Sequence, residues 1–199
     1  MNNVVQITTH DIPALLNRIQ HKETKAKLLQ MHSYFLPQMK AMPAAVTHHH
    51  SWVGGYHQHV YEVIVNCIMQ IEAMQKWYGA LPDGVGLDTA IMLAWLHDLD
   101  KLNRYEYNPR ANKQLFRAKP ERLLCESSAL VLQECAVWEL RLTEADLHCL
   151  AFHHGAYAPV ALAEPWATSS PMATILHTAD LMSAHIHGRQ AQIKNLVQL

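Results

Sequence analysis

The chain has 199 residues, half of them apolar and 17% charged, a globular composition with enough length for one substantial core, and not that of a disordered chain. A net charge of −1 with histidine neutral argues against a protein that coats nucleic acid through bulk positive charge. The unusual count is histidine, 15 residues, which turns attention to metal ligands and general acid–base groups.

In chain order the pattern is helical. No basic segment followed by an apolar run opens the chain, so no secretory leader is expected. Apolar residues recur at helical spacing from Ile12 to Phe35, with Asp11 as N-cap and Pro13 in the first turn. Residues 37–55 read as a connection punctuated by Pro and Gly. Tyr56 to Tyr78 carries the stripe Val60, Val63, Ile64, Cys67, Ile68, Ile71 and Met74, with a period near 3.6. Leu87 to about Asp98 is the next helix. Residues 104–120 look polar and irregular. Pro120–Glu139 is helical, and Thr143 opens another helix with Glu144 and Asp146 in its first turn. Residues 154–171 read as a loop, and Pro171 starts a last helix to about His187. No strand pattern stands out.

The expectation is therefore an all-α fold, a compact helical bundle of one domain over residues 1–199, with an N-terminal helical extension over 11–36. Cys67, Cys125, Cys135 and Cys149 form no C-x-x-C pair and are expected as reduced core residues. The longest apolar run, "AIMLAWL", is too short to span a bilayer, so no membrane partner and a cytoplasmic location are expected. Trp52, Trp95 and Trp138 are read as core. His10, His21 and His32, eleven apart, fit exposed helix positions.

The stretch "LAWLHDLDK" ends an apolar helix in His97, Asp98, Asp100 and Lys101. Neighbours on a helix point about 100° apart, so His97 and Asp98 form a site only with partners from other helices. His59 lies on the long central helix. His177 and Asp180 are three apart and share a face. His59, His97, Asp98 and Asp180 make a mixed nitrogen and oxygen set suited to a divalent Mn, Fe, Co, Ni, Zn or Mg ion, with positions left for water and substrate.

The order H…HD…D resembles that of the HD-domain metal-dependent phosphohydrolases, an all-α superfamily. "HHHSWVGGYHQHVYEV" is similar to the opening motif of the HD domain in bacterial 3′–5′ exoribonucleases, "LHDLDK" to its L-H-D-L-G-K, "LAFHHGAY" to its S-H-H-G, and "ATILHTADLMSAH" to its L-H-x-x-D-x-L-D-A. The motif core spans about residues 48–187. The resemblance implies His59, His97, Asp98 and Asp180 as ligands of a first metal. It implies Lys101 as a contact to phosphate or metal-bound water, and His153 and His154 as second-metal ligands or leaving-group contacts. His48, His49 and His50 would sit at the pocket mouth and touch substrate. Where that group has L-L-G-H-I, this chain has "LLCESSAL", with Glu126 in place of the His. One metal is therefore favoured, a second stays open, and Glu126 becomes a candidate proton shuttle beside His153 and His154. Asp100 stands where glycine is common and is read as part of a solvated turn.

Between Lys101 and Arg122 seven cations face two acids, a local +5 against −6 for the rest of the chain. Arg104, Arg110, Lys113 and Arg117 in this segment are candidate phosphate contacts, and Tyr105 and Tyr107 candidate base platforms. The expected function is metal-dependent hydrolysis of a phosphate ester or anhydride of a small nucleotide. The alternatives are a nuclease acting on 3′ ends or single-stranded nucleic acid, a diiron oxygenase, and a non-catalytic nucleotide-binding module. A homo-oligomer stays open.

Overall fold

The computed structural model describes residues 10–108, 115–120, 127–154 and 170–188. Among these the fold is all-α apart from one small hairpin.

Helix α1 (Ile12–Leu16) starts where the Asp11 carboxylate accepts from the Ala14 N–H at 3.0 Å, with Pro13 in the first turn. The expected continuous helix breaks here. The Asp88 carboxylate takes the N–H groups of Gln20 at 2.9 Å and His21 at 2.8 Å, so neither can continue α1. Helix α2 (Lys22–Ala41) restarts with the His21 ring as its cap and runs through Pro37, further than the sequence suggests.

Helix α3 (Gly55–Tyr78) is the central element and packs against α2, α4 (Leu87–Leu96) and α8 (Pro171–Met182). Gly54 and Gly79 bound it in left-handed conformations, φ 79° and 73°, which only glycine adopts at little cost. The stripe from Val60 to Ile71 is buried as expected. Every residue of α4 from Ala90 to Leu96 is buried, so this helix is apolar all round. Truncating Ile91 or Leu93, neither of which is exposed at all, to alanine costs about 2–5 kcal/mol.

After the short α5 (Lys101–Arg104), β1 (Tyr105–Tyr107) pairs antiparallel with β2 (Phe116–Ala118), Glu106 opposite Arg117. The sequence had shown no strand here. Three-residue strands are too short for alternation to register. Helix α6 (Ser127–Val137) lies within the expected Pro120–Glu139 span, and the 155–169 loop lies outside the described residues. Helix α7 (Glu144–Phe152) opens on a capping box between Thr143 and Asp146. Ser170 caps α8 by accepting from the Ala173 N–H, and α8 continues into a π-helical turn, Ser183–His187. Among the described residues no helix is long and apolar enough to cross a membrane.

Cys67, Cys135 and Cys149 are free and buried, as expected, while Cys125 lies outside the described residues. Trp95 is core; Trp52 and Trp138 are half-buried. His32 corrects the expectation of an exposed ring: it is buried, edge-on to Trp95, because it falls on the buried stripe of α2 with Leu28, Met31, Phe35 and Met39.

Candidate metal centre

Helix α4 is buried on all sides, so the chain leaving its C-terminus is still inside the protein. His97 and Asp98 are each 1% exposed. His59 arrives from α3, fully buried, and Asp180 from α8, at the open edge with its side chain 19% exposed. The four predicted ligands come together. His59 Nε2 lies 3.3 Å from Asp98 Oδ2, from Asp180 Oδ1 and from His97 Nε2. His97 Nε2 lies 3.3 Å from Asp98 Oδ2 and 4.0 Å from Asp180 Oδ1.

Four donors around an ion at about 2.1 Å stand about 3.0–3.4 Å apart when adjacent, and about 4.2 Å apart when opposite. These five separations match that footprint, and His59, His97 and Asp98 gather within metal-sharing distance. The tautomers agree with it. His97 Nδ1 donates to the Ala94 carbonyl at 2.8 Å. His59 Nδ1 donates to Ser183 Oγ at 2.9 Å, and that hydroxyl in turn donates to Glu62 Oε2 at 2.7 Å. In the neutral rings that a metal requires, both Nε2 atoms are then lone pairs aimed at one point with two carboxylates. Such a donor set fits a divalent cation of the transition series and zinc.

Burial works against ionisation of Asp98, but the Lys101 ammonium beside it holds the carboxyl well below its ordinary range. Lys101 ion-pairs with Asp98 Oδ2. Burial opposes its charge, yet Asp98 keeps the ammonium protonated to higher pH than usual.

A second cluster touches the first. Asp98, His153 and His154 also gather within metal-sharing distance. His153 Nδ1 donates to the Leu150 carbonyl, while its Nε2 and Asp98 Oδ1 are buried with no hydrogen-bond partner. Burial, then His154 and His97, push the His153 imidazole down to about 3, so it is neutral. His177 is held by the His153 carbonyl, to which its Nδ1 donates at 2.6 Å. That makes it a packed support for the second cluster.

The histidine run differs from its expected place. His50 is fully buried, not at a mouth; its Nε2 donates to Glu62 Oε2 at 3.0 Å and the Trp52 ring packs on it. Its backbone takes the left-handed φ of 50°, a strained choice for a residue with a Cβ. Gly55 makes the turn possible, since a Cβ there would lie 2.1 Å from the His50 carbonyl oxygen. His49 is half-buried, its ring centroid 4.9 Å from that of His59, so it does reach the site. Burial, then His59 and Lys101, push it down to about 3.

Asp100 is also not in a solvated turn. It is 1% exposed and accepts from Arg104 Nε at 2.7 Å. Arg104 therefore braces the turn behind Asp98. Arg117 pairs with Glu106 across the hairpin at 2.7 Å and is exposed. Of the other candidates, Arg110, Lys113 and Glu126 lie outside the described residues. A cavity of about 350 Å³ lined by His10, Tyr61, Glu62, Met69, Met182 and His187 does not include the quartet.

Glu62 and Ser183 are the site residues the sequence reading missed. The signal was there: Glu62 is three residues after His59 and Ser183 three after Asp180, each on the ligand's own helix face. No family model, curated protein or solved structure matches this chain.

Proposed function

We propose that the protein is a metal-dependent phosphohydrolase that cleaves a phosphate ester or anhydride of a small nucleotide. The observation that carries this reading is the convergence of His59, His97, Asp98 and Asp180 on one point, with the Lys101 ammonium beside it. The resemblance of the ordered motifs to the HD-domain phosphohydrolases supports the reaction class.

His59, His97, Asp98 and Asp180 would hold a divalent cation, which when bound would supply Lewis acidity for activating water and a phosphoryl oxygen. The chain's own residues do the rest. His59 and His97 turn their Nε2 atoms to the cation's position, each ring held by its Nδ1 hydrogen bond. Asp98 and Asp180 offset the cation's charge. Lys101 offsets phosphate charge as it grows in the transition state. His153 Nε2, buried and neutral, would take a second cation together with Asp98 Oδ1 and His154. The unpaired state of those two buried atoms favours a second position over a strictly mononuclear centre. A nucleotide is the preferred substrate over a polymer because the chain is slightly acidic overall.

The test is phosphate release by metal-stripped protein across a nucleotide panel, with Mn, Co, Mg, Zn and Fe added back. Metal-dependent release from one nucleotide class, lost in His97→Ala and Asp98→Ala, is the expected result. Silence across the panel, with cleavage of oligonucleotides or uptake of O₂ instead, overturns it.

A further inference from the structure

Glu62 is the point where two histidine chains meet. Its Oε2 accepts from His50 Nε2 at 3.0 Å and from Ser183 Oγ at 2.7 Å, and its Oε1 accepts from Gln58 Nε2 at 2.8 Å. Its side chain is 12% exposed. Burial works against its charge, but the His50 hydrogen bond holds the carboxyl below its ordinary range. An ionised carboxylate only accepts, so the direction of every bond around it follows.

Ser183 must donate to Glu62, and can then only accept from His59, which places the His59 proton on Nδ1. On the other branch His50 must carry its proton on Nε2. Its Nδ1 is then a lone pair 3.1 Å from His49 Nδ1, so His49 donates there and its own proton is on Nδ1 as well. One carboxylate thus leaves both His59 and His49 with Nε2 as the bare nitrogen. The same logic disposes of a competing idea. His49, His50 and His59 lie close enough to share a cation, but both nitrogens of His50 and Nδ1 of His59 are already engaged.

We infer that Glu62 is a positioning residue of the metal centre, acting through Ser183 to hold His59 in its ligating tautomer and through His50 to turn His49 Nε2 out as a bare nitrogen. The inference rests on the reading of the quartet as a metal centre. Carboxylates placed behind ligating histidines in this way raise metal affinity by about ten- to a hundredfold. Glu62→Gln replaces one of the two acceptor oxygens by a donor and removes the charge, and Ser183→Ala removes the acceptor for His59.

The experiment has two readouts on the full chain. Long-range ¹H–¹⁵N spectra of metal-stripped protein report the tautomer of each ring, and calorimetric titration with Mn²⁺ reports affinity. Expected, with the spectra taken at alkaline pH where the ring is neutral, are an Nδ1–H His59 in the wild type, mixed tautomers in Glu62→Gln and Ser183→Ala, a fall in Mn²⁺ affinity of about ten- to a hundredfold in both, and recovery in Ser183→Thr. A merely structural role would lower stability without changing the tautomer. An unchanged His59 tautomer in both variants, with affinity at the wild-type level, overturns the inference. A wild type that binds no Mn²⁺ overturns the metal reading itself, so the two failures are told apart.

Discussion

The Nε2 atoms of His59 and His97 face each other across 3.3 Å, although each ring already gives its Nδ1 proton to another acceptor. Two lone pairs aimed at each other, flanked by the Asp98 and Asp180 carboxylates, are unfavourable without a cation between them. The fold holds them there regardless, on three different helices with a fully packed core behind.

A metal bound there would therefore stabilise the fold. A ligand that binds only the native state, at a hundred times its Kd, adds about 2.7 kcal/mol, or about 5–10 °C in Tm for a chain of this size. Differential scanning fluorimetry with Mn²⁺ or Zn²⁺ added to stripped protein should show that rise. His97→Ala should abolish it.

On the proposed function, Lys101 would separate metal binding from chemistry. Its ammonium touches Asp98 but supplies no ligand atom. Lys101→Gln should leave the Mn²⁺-induced rise in Tm in place while lowering kcat about a hundredfold or more. Loss of metal binding in that variant would reassign Lys101 to holding Asp98 in place.

The buried His50 turn needs Gly55. Gly55→Ala sets a Cβ 2.1 Å from the His50 carbonyl oxygen, and should cost about 1–3 kcal/mol in urea denaturation and weaken metal binding by displacing His49 and His50. Gly86 has open space around its Cα. Gly86→Ala should cost less than about 1 kcal/mol, as a changed N-cap, and leave the metal site intact.

Away from the quartet, stripped protein should lose stability in mild acid. Burial, then Lys40, hold His32 below its ordinary 6.5. Burial, then His32 and His10, push His57 down to about 4. Unfolded imidazoles take up protons near 6.5 and these folded ones only at lower pH. The stability they contribute is thus full above 6.5 and is lost as pH falls towards 4. Urea midpoints measured at steps from pH 7.5 to 4.5 should fall through that window, and less steeply in His32→Leu.

How much of this was legible in the sequence depends on the range of each signal. The stripe of α3 and the helix start at Thr143 are local patterns, and they lie where the sequence placed them. The quartet was legible from the order of its motifs. The break after α1 was not, because Asp88, nearly seventy residues away, makes it by taking the N–H groups of Gln20 and His21. The burial of His50 and Asp100 was hidden for a similar reason: a polar residue in a connecting segment reads as solvated until its partners, Glu62 and Arg104, are seen to close over it.

Crystals soaked in Mn²⁺ and measured for anomalous scattering test the central claim most directly. The account predicts a peak bonded to His59 Nε2, His97 Nε2, Asp98 Oδ2 and Asp180 Oδ1 at about 2.0–2.4 Å from each, with any second peak between Asp98 Oδ1 and His153 Nε2. No peak within the quartet at saturating Mn²⁺, or peaks only elsewhere on the protein, would contradict it.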